Sequence, residues 1–277
     1  MIKNLKIKKT LLIIFTTVIL SSFYSSKAFG FDWDSFLENL YHWNLTLQRN
    51  IYGDTYIYND SLNTSFTVID EYGDDYTFYI NQNANHTKTS YLPLTLRIPL
   101  FYNDNLSFGL SSSQRYFQTK IFEEIGSITH DYDYDNLMGV AVGVYLSIKV
   151  LPRLWIFTTL GRAYYYLNTT ADTLKPSWYG DPGLYWDGYF YEPGTPLKVR
   201  GETDYKFFFS IGMKYYIYSG IFLELTYYHF PEATINNMSY ILEGPVDLKI
   251  NVSPEKLPKP ITIEESHVFT LGIGIGL

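Results

Sequence analysis

Residues 267–277 read His267-Val268-Phe269-Thr270-Leu271-Gly272-Ile273-Gly274-Ile275-Gly276-Leu277, and this stretch decides the fold. Every odd position from Phe269 to Leu277 is large and apolar, and every even position between them is Thr or Gly. Successive strand side chains point to opposite faces, so the segment presents one apolar face and one almost bare face. Three glycines weaken a strand in water, since each adds entropic cost and no packing. They suit a strand with lipid on one side and a crowded barrel interior on the other.

The same alternation recurs upstream in segments of roughly the ~10 residues that cross a bilayer as tilted strands. Strands are predicted at about 41–50, 91–101, 105–117, 136–150, 153–167, 204–218 and 220–230, with 267–277 as the eighth. In 136–150, Met138, Val140, Val142, Val144, Leu146 and Ile148 face outward, opposite Gly139, Ala141, Gly143, Tyr145, Ser147 and Lys149. The 153–167 segment is apolar on both faces and is oriented by Arg162, which should avoid lipid at mid-depth. Pro93 and Pro99 cannot donate to a ladder, so a bulge or weak edge is expected there. Short links at Asn103-Asp104, Leu151-Pro152 and Ser219-Gly220 alternate with long ones at about 51–90, 118–135, 168–203 and 231–265. Short turns at one end and long loops at the other are the pattern of an all-β, up-and-down antiparallel transmembrane β-barrel of eight strands. Inserting both arms of a hairpin around Glu71-Tyr72-Gly73-Asp74-Asp75 would give ten. Thr64, Phe66, Val68 and Asp70 form a poor lipid face, so that hairpin is placed outside the membrane.

Residues 1–30 carry Lys3, Lys6, Lys8 and Lys9, an apolar run from Leu11 to Leu20, and small residues at Ala28 and Gly30. That is the layout of a cleaved signal peptide, leaving 31–277 as the barrel and its loops. Removing residues 1–30, with five lysines and no acid, moves the net charge from −7 to −12. Such a balance argues against nucleic acid as a partner. The chain has no Cys, which excludes disulfides, thiol catalysis, thiolate metal sites and lipoprotein acylation.

Parity places Arg97, Lys149, Arg162, Lys214 and Glu224 inside the barrel, either as an ion-pair network filling the lumen or as the selectivity ring of a narrow channel. A loop cluster of Trp178, Tyr179, Tyr185, Trp186, Tyr189, Phe190 and Tyr191 could grip a protein or glycan, or pack on itself. Asp131, Asp133 and Asp135, and the group Asp70, Glu71, Asp74 and Asp75, lack calcium-loop spacing and read as solvated acidic loops. No catalytic, cofactor or metal site is assigned.

The alternating end strand Phe269, Leu271, Ile273, Ile275 and Leu277 resembles the terminal strand by which bacterial outer-membrane barrels are read by their insertion machinery, although those usually finish on an aromatic residue. The whole of 31–277 resembles small outer-membrane barrels of the opacity-protein and OmpA-transmembrane-domain kind. That likeness implies an outer-membrane location, contact with lipid and lipopolysaccharide, and a non-enzymatic role carried by the loops. A passive channel is the alternative. Tyr228-His229-Phe230-Pro231-Glu232, followed by Glu243, is similar to the His-x-Ser-Asn stretch of outer-membrane lipid A deacylases. Pro231 stands where that family has its nucleophile, and a general-base His needs a hydroxyl to activate.

Lipid-face charge is costly by depth, so Val142→Arg and Ile211→Arg should each lower stability by about 2–4 kcal/mol in urea titrations of refolded protein. On parity alone, Gly143→Ser should cost far less.

Overall fold

The computed structural model describes residues 42–87, 90–117, 119, 121–123, 137–175, 183–218 and 220–276. The 1–30 segment, Leu277, the Asp131–Asp135 run, Trp178 and Tyr179 lie outside these.

Eight antiparallel strands close into a barrel: β1 (Asn44–Tyr52), β2 (Ser90–Tyr102), β3 (Leu106–Phe117), β4 (Leu137–Leu151), β5 (Leu154–Thr173), β6 (Lys206–Tyr218), β7 (Ile221–Phe230) and β8 (Ser266–Gly276). Each neighbours the next, and β8 pairs β1 to complete the ring. Closure leaves no barrel edge unpaired. Register shifts in the β2–β3 ladder fall between Tyr91 and Leu94 and between Pro99 and Phe101, so the ladder slips at both prolines. At the turn end, Asn103 Oδ1 accepts the Asn105 and Leu106 amides at 2.9 and 2.8 Å. Gly220 supplies the positive φ, 78°, of the β6–β7 turn.

The outer surface carries a belt of exposed apolar side chains, including Leu47, Leu110, Val142, Leu146, Ile211, Leu223, Leu271 and Ile273. Inside, rings and glycines alternate. Several cross-strand pairs set a large ring directly opposite a glycine, among them Phe222–Gly274, Phe157–Gly212, Phe208–Gly161 and Tyr165–Gly139. A Cβ at any of these glycines would overlap the facing ring. The glycines therefore give the rings room to lie across the sheet, and the interior is filled rather than hollow.

Two expectations are corrected. Arg162 is exposed on the outer surface, while Phe157, Thr159, Ala163 and Tyr165 of β5 point inward. Arg162 stands opposite Val142 on β4 and Phe207 on β6, both outward, and directly opposed residues share a face. The ladder outranks the charge, and a long guanidinium can reach toward the polar rim. Gly143 does face inward, but a Cβ there would meet backbone atoms of Leu160 and Gly161, so Gly143→Ser is not the cheap change that parity suggests.

The long connections fold into a cap. Leu62–Ile69 and Asp75–Gln82 form the anticipated hairpin, which pairs with Phe122–Glu123 and not with the barrel, so the barrel has eight strands and not ten. Ile57–Asn59, Asn85–Thr87, Ala233–Ile235 and Ile261–Ile263, from two different connections, make a four-stranded sheet. The upper half of β5 leaves the barrel to pair with Pro196–Glu202, and Ser239–Glu243 and Asp247–Ile250 extend that wall. Ile57, Phe66, Phe78, Ile80, Tyr240 and Ile261 are buried in a core continuous with the barrel's upper interior. Asp172, fully buried, ties the hairpin to the wall by accepting the Tyr79 amide at 2.7 Å.

If Arg162 faces outward beside Val142, Arg162→Leu should leave unfolding stability within about 1 kcal/mol of wild type or raise it. A loss above that in urea titration would return Arg162 to the lumen.

Candidate functional site

The lumen is organised around Glu224, which is fully buried. Its cross-strand partner on β8 is Gly272, and Gly272 is opposite Gln48 on β1. With no side chain between them, Gln48 Nε2 donates to Glu224 Oε1 at 2.8 Å. From β2, Arg97 spans the interior and binds the carboxylate through two bonds, Nη1 to Oε2 at 2.6 Å and Nη2 to Oε1 at 3.0 Å. Thr46 and Thr226 donate at 3.2 and 2.9 Å. Five donors thus surround one carboxylate, which offsets the desolvation of a charge.

Outward from this pair the network continues through Gln48 Oε1, which accepts from Tyr228 at 3.0 Å and Thr95 at 3.3 Å. Thr95 also contacts Ser113 at 2.9 Å. The Arg97 guanidinium lies 4.0 Å from the centroid of the Phe157 ring. Arg97 and Glu224 are therefore brought together. Lys214 is buried too, but it sits among Trp155, Tyr216 and Phe222 at 5.4–5.8 Å, with Asn44 Oδ1 at 3.5 Å. Lys149 is half-buried and lines an open vestibule of about 610 Å³ at the turn end, with Tyr102, Asp104, Arg153 and Trp155. Arg162 is outside, so the five residues singled out by parity do not form one ring.

A second buried guanidinium lies nearer the loop end. Arg115 donates to the Tyr165 hydroxyl at 3.0 Å and Ser266 Oγ at 2.9 Å, bonds Thr55, and faces the Phe230 ring at 4.3 Å. Inward parity was the signal for Arg115. Its partner Thr55, in a loop, left none.

The loop aromatics divide. Leu184–Trp186 and Tyr189–Tyr191 form a hairpin whose two-residue turn, Asp187-Gly188, has positive φ at both positions. Tyr191 is buried and donates to the Val246 carbonyl at 3.0 Å. Tyr185 packs on Phe190 and Tyr72 at 4.7 and 5.2 Å. Trp186 and Tyr189, directly opposed across the hairpin, are left exposed. The acidic hairpin turn is structural, because Asp70 Oδ1 accepts the amides of Tyr72 and Asp74.

His229 lies on the outer face of β7 and is half-buried. The carboxylate beside it is Glu265, with Oε1 3.6 Å from His229 Nδ1. Glu243 is engaged elsewhere, by Lys198 at 2.5 Å and Arg200 at 3.5 Å. The deacylase-like pairing of His229 with Glu243 is thus not formed.

No family model matches the chain, and no curated protein matches it. Among solved structures, it is similar to the attachment invasion locus protein Ail of Yersinia pestis, at 9% identity over 85% of this chain and 99% of that one, with a TM-score of 0.36. It is also similar to the outer membrane protein OprG of Pseudomonas aeruginosa, at 11% identity over 85% and 96%, TM-score 0.33. A third is the outer membrane protease OmpT of Escherichia coli, at 10% identity over 85% and 97%, TM-score 0.34. Likeness at this level carries no shared activity, and the closed ladder itself establishes the fold.

Breaking the buried pair leaves a desolvated charge, so Glu224→Gln and Arg97→Gln should each cost about 3–5 kcal/mol. The double variant should cost clearly less than the two losses added, because the pair is one unit. Additive losses in unfolding titrations would show that the two groups do not interact.

Proposed function

We propose that this chain is an integral outer-membrane β-barrel that acts non-enzymatically at the cell surface, through its folded loops. The apolar belt supports a lipid surround for the barrel, and the closed ladder meets the requirement that every backbone polar group in that layer be paired. On this reading the turn end faces the periplasm and the cap faces outward.

The observation that favours surface binding over conduction is an occupied and roofed interior. Arg97, Arg115, Tyr145, Tyr165, Phe157, Phe208 and Phe222 are all fully buried, and the cap core closes over the barrel's outer end. The vestibule at the turn end stops below this filled layer. A solute path would need side chains that are hydrogen-bonded across the lumen to separate, so a passive channel is disfavoured. Recognition is left to the cap, where Trp186 and Tyr189 form an exposed aromatic pair on a two-residue-turn hairpin. Such a pair can stack on a sugar or anchor a protein at little entropic cost. Lipopolysaccharide and a host or neighbouring-cell glycan or protein are the partners of this kind, and the outer-membrane insertion machinery is the partner in assembly.

Tag-free refolded protein should show no steady conductance in planar bilayers. It should bind immobilised surface glycans or envelope proteins, and Trp186→Ala with Tyr189→Ala should abolish that binding while the barrel remains folded. Steady conductance altered by Arg97→Gln would instead establish a channel.

A further inference from the structure

At the cap end of the barrel's outer face, two strands and the approach to one of them converge on a donor set that the lumen network does not use. His229 on β7 and His267 on β8 are directly opposed register partners, with ring centroids 5.0 Å apart. Glu265 immediately precedes β8, and its Oε1 lies 3.6 Å from His229 Nδ1 and 3.5 Å from His267 Nε2. All three donor atoms fall within 4.8 Å of one another.

We propose that His229, Glu265 and His267 form a three-ligand site for a divalent transition-metal ion of the zinc class.

Three features favour a metal over a plain ion pair. First, the spacing fits. Ligand atoms about 2.0–2.1 Å from a tetrahedral zinc are about 3.3 Å apart, so the two carboxylate–imidazole edges need a few tenths of an ångström of adjustment, and the imidazole–imidazole edge, within 4.8 Å, closes by rotation of the two side chains. Second, one imidazole is anchored. His267 Nδ1 is 2.7 Å from the Tyr227 hydroxyl, which holds the ring by that edge while Nε2 faces Glu265. A second hydrogen bond on the far ring nitrogen is how proteins orient a metal-binding histidine. Third, His229 Nδ1 is shielded from solvent yet makes no hydrogen bond. A buried polar atom in that condition is costly, and a metal would satisfy it.

The rings are also held in place. His229 packs at 5.0 Å on Phe209, and His267 stacks on Tyr227 at 6.0 Å with a 12° interplanar angle. Two imidazoles with one carboxylate suit zinc and its neighbours iron(II), cobalt, nickel and copper, whereas calcium and magnesium prefer oxygen throughout. Three protein ligands leave one position of a tetrahedral ion open to water or to an external donor. Sequence spacing could not reveal the set, because the long 231–265 connection hides the register that pairs His229 with His267.

Tag-free refolded protein in detergent, freed of metal and titrated with cobalt(II) and zinc(II), tests this. The expected result is one saturable equivalent, with the visible cobalt spectrum of a four-coordinate site and displacement by zinc. His229→Gln, His267→Gln and Glu265→Gln should each abolish it, and Tyr227→Phe should weaken it by about 10–100-fold, as for other outer partners of metal ligands. His42→Gln, in the turn-end vestibule, should change nothing. These ligand side chains lie outside the packed interior, so folding of each variant is checked by retained gel migration of unboiled protein. Absence of a saturable equivalent, or binding unchanged in folded Glu265→Gln and His267→Gln variants, would overturn the proposal.

Discussion

Closure of the sheet is the constraint on which the rest of this structure depends. In an apolar surround no water is present to pair with exposed N–H and C=O groups, so every strand must have two partners. Closing the ring also fixes parity, because directly opposed residues share a face. Once Val142 is outward, Arg162 must be outward, and so must Phe207 beyond it. A single strand cannot turn over without inverting its neighbours.

The interior obeys the same rule. Phe222, Phe157, Phe208 and Tyr165 each meet a glycine across the ladder, so the bulk of those rings is matched by an absent side chain on the adjacent strand. Gly272 does this for charge: it opens the gap through which Gln48 reaches Glu224, and Arg97 completes the carboxylate's shell. A filled, bonded lumen lies below a packed cap. On the proposed reading, the exposed tip of the 184–191 hairpin and the histidine pair at the cap end of the barrel are the surfaces left for binding.

Much of the barrel was legible in the sequence, for local reasons. Alternation with period two marks each strand, and tight turns such as Asn103-Asp104 mark their ends. Pro93 and Pro99 announced the slipped β2–β3 ladder. Strand β5 was misread because both of its faces are apolar, and its one charge was assumed to shun lipid. Only the ladder to β4 and β6 resolves that ambiguity. The buried Arg97, Lys214 and Glu224 could be placed inside by parity, but which cation bonds the carboxylate depends on positions along the strands: Lys214 is the register partner of Glu224 on β6, Arg97 reaches across the lumen to form the ion pair, and Lys149 lies at the turn end. The cap was largely illegible beyond its first hairpin. Its four-stranded sheet joins Ile57–Asn59 and Asn85–Thr87 to Ala233–Ile235 and Ile261–Ile263, segments too short and too distant in sequence to signal their pairing.

The chain has no cysteine, so single-cysteine scanning reads parity directly. Spin labels placed one at a time at residues 158–165 of the refolded protein, with exposure to lipid-soluble oxygen measured at each, bear most directly on the closed ladder. Closure predicts high oxygen access at Thr158, Leu160, Arg162 and Tyr164, and low access at Thr159, Gly161, Ala163 and Tyr165. The opposite alternation, or none, would contradict it.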